Sequence, residues 1–235
     1  MPLTDAVRAA FQLLFAGDPV LWQIVWVSLK TSVGGLLIAA PIAVAFGYLL
    51  ATRRFAGHRI AIWLTQATVS LPTVLIGLLL YLLLSRQGPL GGLQWLFTRQ
   101  GIVAGQVLIA LPVLTAFTLA AVQAADPRIA ETATTLGASR WRTMFTVLHE
   151  VRFGVIAALI HGFGRVISEV GCAMMVGGNI AGDTRTITTA IALETSKGEF
   201  AQGIALGIVL IAFALAINAA LVMLQGEVRT ARSAR

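Results

Sequence analysis

The chain has 235 residues, 57% of them hydrophobic and only 11% charged, with a formal net charge of +7 and a mean hydropathy of +0.86. A soluble domain is about 25% charged, so no compact water-soluble fold could cover this much apolar surface. One cysteine, Cys172, excludes a disulfide scaffold, the hydrophobicity excludes disorder, and no Cys/His cluster suggests a metal; what remains is a polytopic membrane protein.

In chain order, Met-Pro-Leu-Thr-Asp lacks the positive start of a signal peptide. Ala6, Val7, Ala10, Phe11, Leu14 and Phe15 fall on one helical face, so residues 5–16 are expected to lie along the membrane surface. A spanning helix needs about 20 mostly apolar residues. The first span, 22–50, contains Lys30 and is uncharged from Thr31 onward; the second and third, 60–84 and 101–124, carry no charge over Ile60–Leu84 and Gly101–Ala124. A fourth, 153–181, is interrupted by Arg165 and Glu169, and the last occupies 200–224. Pro41, Pro72 and Pro112 lie inside spans, where neighbouring helices can satisfy the freed carbonyls.

These elements define an all-α membrane protein with five transmembrane helices in a single domain covering residues 1–235. Its basic residues gather in three places: Arg53, Arg54 and Arg59; Arg128, Arg140, Arg142 and Arg152; and the tail Arg229, Arg232 and Arg235. Lys and Arg are retained on the cytoplasmic side during insertion, which places the N-terminus outside and the C-terminus in the cytoplasm. The segments read as outer are poorer in basic groups, residues 85–100 holding only Arg86 and Arg99. No basic, aromatic-rich stripe interrupts the apolar sequence, so membrane lipid, not nucleic acid, is the expected surrounding.

Between the third and fourth spans, residues 126–150 break the pattern. Asp126 suits an N-cap and Pro127 a first helical position. Gly137 can stop that helix and Ser139 can cap a second. A short helix, a glycine turn and another short helix follow, presented to the cytoplasm.

Glu131-Thr132-Ala133, three residues, Gly137, nine residues and Val147 resemble the cytoplasmic loop of ABC-importer permease subunits. That family pattern reads Glu-Ala-Ala, three residues, Gly, nine residues, Ile-x-Leu-Pro, and this chain departs from it at Thr132, Val147, His149 and Glu150. The resemblance implies a type I ABC-importer permease fold and a coupling helix docking on a separate ATPase, with Glu131, Thr132, Ala133, Leu136, Gly137, Ala138 and Trp141 at the contact. It further implies a homodimer with two ATPase subunits and an extracytoplasmic binding protein in a prokaryotic inner membrane. No Gly-x-x-x-x-Gly-Lys-[Ser/Thr] phosphate loop occurs here. The chain is therefore expected to hold no cofactor and no catalytic residue, ATP and Mg belonging to the partner ATPase.

His161, Arg165 and Glu169 recur at i, i+4 and i+8, on one helical face. An ionisable residue at membrane depth costs ~2.5–3.5 kcal/mol on insertion scales, so this face should look inward. An Arg165–Glu169 pair can hold the span in place, serve the pathway, or do both.

The stretches Gly164–Gly171, Gly177-Gly178-Asn179-Ile180 and Thr184–Ile191 resemble permeases of the molybdate/tungstate branch, and Ala192–Phe200 is most similar to tungstate-type members. The implied cargo is an oxyanion, tungstate or molybdate, with sulfate and phosphate as alternatives. Arg165, Ser168, Glu169, Asn179, Thr184 and Arg185 are the pathway or gate candidates. Arg185 with Thr184, Thr186, Thr188 and Thr189 offers a guanidinium and hydroxyl donors suited to a tetrahedral dianion near the outer surface. A capped, solvated loop is the alternative for the same residues. Two other classes stay open: an intramembrane enzyme using His161, Arg165 and Glu169, and a secondary transporter, although neither paired broken helices nor internal repeats are seen.

Overall fold

The computed structural model describes residues 3–233, and every regular element among them is helical. Arg235 lies outside these residues, as do the side chains of Ala6, Arg229 and Arg232.

Helix α1 (Leu3–Ala16) ends at Gly17, and Asp18 then caps α2 (Pro19–Thr52), its Oδ1 accepting from the N–H of Val20 at 2.8 Å and of Leu21 at 2.9 Å. At 34 residues α2 is about 51 Å long, enough to cross a bilayer and project beyond it. The stabilising contact for α1 is a cluster in which Ala10 meets Leu21 and Ile24 of α2 and Leu206 of α11 (Phe200–Ser233). Ala10, Leu13 and Leu14 therefore face the bundle, while Phe11 and Phe15 stack at 6.4 Å on the exposed side. The apolar face anticipated for a surface helix is thus divided between protein and surroundings.

Helix α5 (Arg99–Gln123) runs alongside α2 in the same direction, and this pair forms the spine of the molecule. Their approach is close because Gly47 has no Cβ: one placed there would come 2.8 Å from the Cβ of Thr118 and 2.9 Å from the Thr115 carbonyl oxygen. Around the spine, Ala39 and Ala43 of α2 and Ile109, Ala110 and Leu114 of α5 bury against three further helices. These are α4 (Thr73–Leu84), α8 (Arg152–Ile167) and α9 (Gly171–Gly177).

The stretch read as one span over 60–84 is two helices, α3 (His58–Val69) and α4, bent by 98°. Pro72 lies at the break with φ −60° and ψ 122°. It offers no N–H, and its ring pushes Leu71 out of helical geometry. Pro41 and Pro112 sit inside the unbroken α2 and α5.

Two short helices, α6 (Pro127–Thr135) and α7 (Arg140–Glu150), follow α5, and α7 meets α8 at a 75° bend. The stretch read as one span over 153–181 stops being helical at Ser168, resumes as α9 and ends in a loop. A further helix not anticipated from the sequence, α10 (Ile187–Lys197), turns through Gly198 into α11. Among the described residues three helices are long and apolar enough to cross a membrane, and up to five crossings result if each bent pair counts as one. The protein is a multi-pass integral membrane protein.

Candidate functional site

The α6–α7 hairpin is built as its sequence suggests. Asp126 Oδ1 accepts the Arg128 N–H at 2.9 Å, and Pro127 occupies the first turn, where no donor is needed. At the far end the Gly137 N–H donates to the Thr134 carbonyl and the Ala138 N–H to the Ala133 carbonyl, both at 3.0 Å. This closure requires Gly137 at φ +79°, where a Cβ would strain the backbone although no neighbour crowds it. Ser139 then caps α7 through a long 3.5 Å contact to the Arg142 N–H.

One side of the hairpin is fastened to the bundle. Val147 and Thr143 are buried, and Val147 packs with Tyr48 at the end of α2 and Val122 at the end of α5. The other side is bare: Leu136 is 83% and Trp141 71% exposed. Glu131 and Thr132 are exposed too, Ala133 and Ala138 half-buried, so the seven proposed contact residues form one continuous hairpin. A groove of about 550 Å³ beside it is bordered by Arg128, Thr132, Leu136 and Arg142. His149 and Glu150, where the chain departs from the family pattern, form the last turn of α7, and Arg152 donates back to the His149 carbonyl at 3.0 Å.

The second constellation is a charged joint between α8 and α9. Arg165 Nη1 donates to Glu169 Oε2 at 3.1 Å, while Glu169 Oε1 accepts the Cys172 N–H at 3.0 Å. Glu169 thus caps the start of α9 and sits outside α8, so the i, i+8 face ends before reaching it. Its side chain is 3% exposed and that of Arg165 38%. His161 and Ser168 are exposed nearby, the ring stacked on Phe117 at 4.8 Å and the hydroxyl donating to the Gly164 carbonyl at 2.7 Å.

The third group, Asn179 to Thr189, is exposed at 180–183 and buried from Thr186 to Thr189. Thr184, Thr186, Thr188 and Thr189 are all buried. The Thr184 hydroxyl donates to the Gly177 carbonyl and accepts the Ile180 N–H at 2.9 Å, Thr186 and Thr189 form the capping box of α10, and Thr188 donates to the Glu169 carbonyl at 2.6 Å. Arg185 reaches the Asn179 carbonyl at 3.5 Å, and its Nε is buried without a partner. The threonines hold the backbone together, as in the capped-loop alternative, and this leaves few hydroxyls for a ligand.

Sequence reasoning missed the clamp on this segment. Arg99, at the start of α5, pairs with Asp183 Oδ1 at 2.9 Å and donates to the carbonyls of Asp183 at 2.8 Å and Gly182 at 3.2 Å. Gln23 of α2 reaches the same Gly182 carbonyl at 3.1 Å. The signal for α10 was present in Thr186 and Thr189 flanking an apolar run that Gly198 terminates.

A multi-pass helical bundle with a capped, exposed hairpin at one end and no strand among the described residues defines an all-helical integral membrane protein. The chain belongs to the family described as binding-protein-dependent transport system inner membrane component, which matches residues 43–230. It is 34% identical to a tungstate uptake system permease protein of Peptoclostridium acidaminophilum, over 96% of this chain and 99% of the relative. Identity to the corresponding Campylobacter jejuni protein is 38%, over 91% and 90%. A molybdenum transport system permease protein of Haemophilus influenzae is 33% identical over 70% of this chain and 75% of its own length. The fold is shared with a chain of a bacterial ABC transporter involved in the import of the acidic polysaccharide alginate, at a TM-score of 0.71 and 18% identity, covering 90% of this chain and 82% of that one. The chain is a permease subunit of the ABC-importer type, of the molybdate/tungstate branch.

Proposed function

We propose that the chain forms the translocation path of an ATP-driven oxyanion importer whose cargo is tungstate, with molybdate the second choice. The supporting observation is the near full-length likeness to two tungstate uptake permeases, molybdenum permeases matching over a smaller share of the chain. In this reading two copies enclose the path in the prokaryotic inner membrane. A separate ATPase docks on each α6–α7 hairpin through Glu131, Leu136 and Trp141, and an extracytoplasmic binding protein delivers the anion. The N-terminus lies outside and the C-terminus in the cytoplasm. Arg165, Ser168 and Glu169 line or gate the path, and Asn179, Thr184 and Arg185 brace the segment beside them. ATPase closure pulls on the two hairpins, and because each is fastened through Val147 to the ends of α2 and α5, the pull reaches the spine.

The test is uptake by proteoliposomes holding the chain with its partner ATPase and binding protein. ATP-dependent accumulation of tungstate above molybdate, sulfate and phosphate is expected. Accumulation of sulfate or phosphate alone would reassign the cargo, and uptake driven by a proton gradient without ATP would remove the proposal.

A further inference from the structure

The charged joint is asymmetric in a way that a purely structural ion pair does not require. The Glu169 carboxylate is sealed: one oxygen holds Arg165 Nη1, the other the Cys172 N–H, and the residue is 4% exposed. Arg165 is open. A guanidinium has five N–H donors, and among the described residues only the one to Glu169 is engaged. Its side chain is 38% exposed, on the same stretch of α8 as exposed His161 and Gly164 and just before exposed Ser168. Beside that stretch a mostly apolar cavity of about 480 Å³ lies between α8 and α11; His161, Ser168 and Asn218 are on its wall, each bonded to a nearby backbone carbonyl, and Arg165 is not part of that wall. Polar groups at membrane depth are costly against lipid, so this face addresses a water-filled space or protein. Arg185, the other cation of the region, is less suited, because its neighbours' hydroxyls are consumed in holding the backbone.

Resting on the importer reading above, we propose that Arg165 is the transit site for the oxyanion and that Glu169 sets how tightly it holds. The planar fork matches two oxygens of a tetrahedral anion. A lone guanidinium in a low-dielectric path would trap a dianion. Conduction requires a step favourable enough to enter and weak enough to leave. The permanently buried carboxylate cancels the guanidinium's charge, so the outward donors offer directional hydrogen bonds with little net attraction. The arriving anion shares Arg165 with Glu169 and is released when the joint flexes.

The experiment compares wild type, Glu169→Gln, Arg165→Gln and Arg165→Lys in the complete transporter. Two readouts are taken: ATP-driven tungstate uptake in proteoliposomes, and radiolabelled tungstate retained by the washed transporter after the binding protein is removed. Glu169→Gln keeps an oxygen for the Cys172 N–H, removes the charge, and puts an NH2 that cannot accept from Arg165 in place of the other oxygen. It should raise retention by roughly tenfold or more, the scale of one hydrogen bond to a charged group, while slowing turnover. Arg165→Gln should bring retention to background and abolish uptake. Arg165→Lys keeps the charge without the fork and should lose most of both. Wild-type retention and uptake in Glu169→Gln and Arg165→Gln would overturn the transit site and leave the importer reading intact. No ATP-driven tungstate uptake by wild type would instead overturn the reading. Should Glu169→Gln fail to assemble, Arg165→Lys decides: unchanged retention and uptake there refutes the proposal.

Discussion

The hydroxyl of Thr188 donates to the backbone carbonyl of Glu169 at 2.6 Å, tying the first turn of α10 to the joint between α8 and α9. Both residues are buried, and the Ile187 N–H beside Thr188 is held by Ser28 of α2 at 2.6 Å. Three segments distant in sequence thus converge on one polar knot. Thr188→Val preserves shape but strands the Glu169 carbonyl away from water. It should lower stability by about 1–3 kcal/mol, read as a drop in the melting temperature of detergent-purified protein, while Thr188→Ser stays near wild type. An unchanged melting temperature in Thr188→Val would show that the carbonyl has another partner.

At the hairpin, Gly137 combines φ +79° with open space around it. Its requirement is conformational, not steric crowding. Gly137→Val should therefore abolish ATP-driven uptake while the chain still inserts, and Gly137→Asn, which tolerates left-handed geometry better, should retain much of the activity. Glu131→Lys should weaken co-purification with the ATPase by reversing charge on the exposed face of α6. Uptake at the wild-type rate in both Gly137→Val and Glu131→Lys would remove the coupling role of this loop.

Much of this hairpin was legible because capping is local. Asp126, Pro127, Gly137 and Ser139 act on residues within a few positions of themselves. The Arg165–Glu169 contact was legible as a close sequence pair, although it forms across the end of α8 and not along one helical face. The break at Pro72 was not, since Pro41 and Pro112 carry the same chemistry and stay inside continuous helices. What differs is how the neighbours accommodate each bend, a tertiary matter. The end of α8 at Ile167 was equally hidden: Arg165 and Glu169 are spaced as if on one continuing helix, and neither glycine nor proline marks Ser168. For threonines 184 to 189 the sequence left donors to an anion and a capped loop both open, because their partners, Gly177, Glu169 and one another, become visible only in the fold.

The Arg99 clamp yields a prediction that separates charge from hydrogen bonding. Arg99 and Asp183 side chains are 42% and 53% exposed, and an exposed ion pair contributes at most about 1 kcal/mol. Asp183→Asn should thus change stability little. Arg99→Ala also removes the donors to the Asp183 and Gly182 carbonyls and should release the segment, giving faster amide exchange across residues 178–186 than in Asp183→Asn. Equal exchange in the two variants would mean that the ion pair, not the carbonyl contacts, pins the loop.

Topology can be tested with the protein's own chemistry. Its single cysteine, Cys172, is 2% exposed, so a thiol reagent should find little background. If the basic residues at 53–59, 128–152 and the tail mark the cytoplasmic side, an odd number of crossings separates the termini. Leu3→Cys should then label with a membrane-impermeant maleimide in intact cells, whereas Ser233→Cys should label only after the membrane is opened. The 98° bend between α3 and α4 makes this informative, because a bent pair that enters and leaves by the same face would not count as a crossing. Labelling of both cysteines in intact cells, or of neither, would place the termini on one side and reduce five crossings to four.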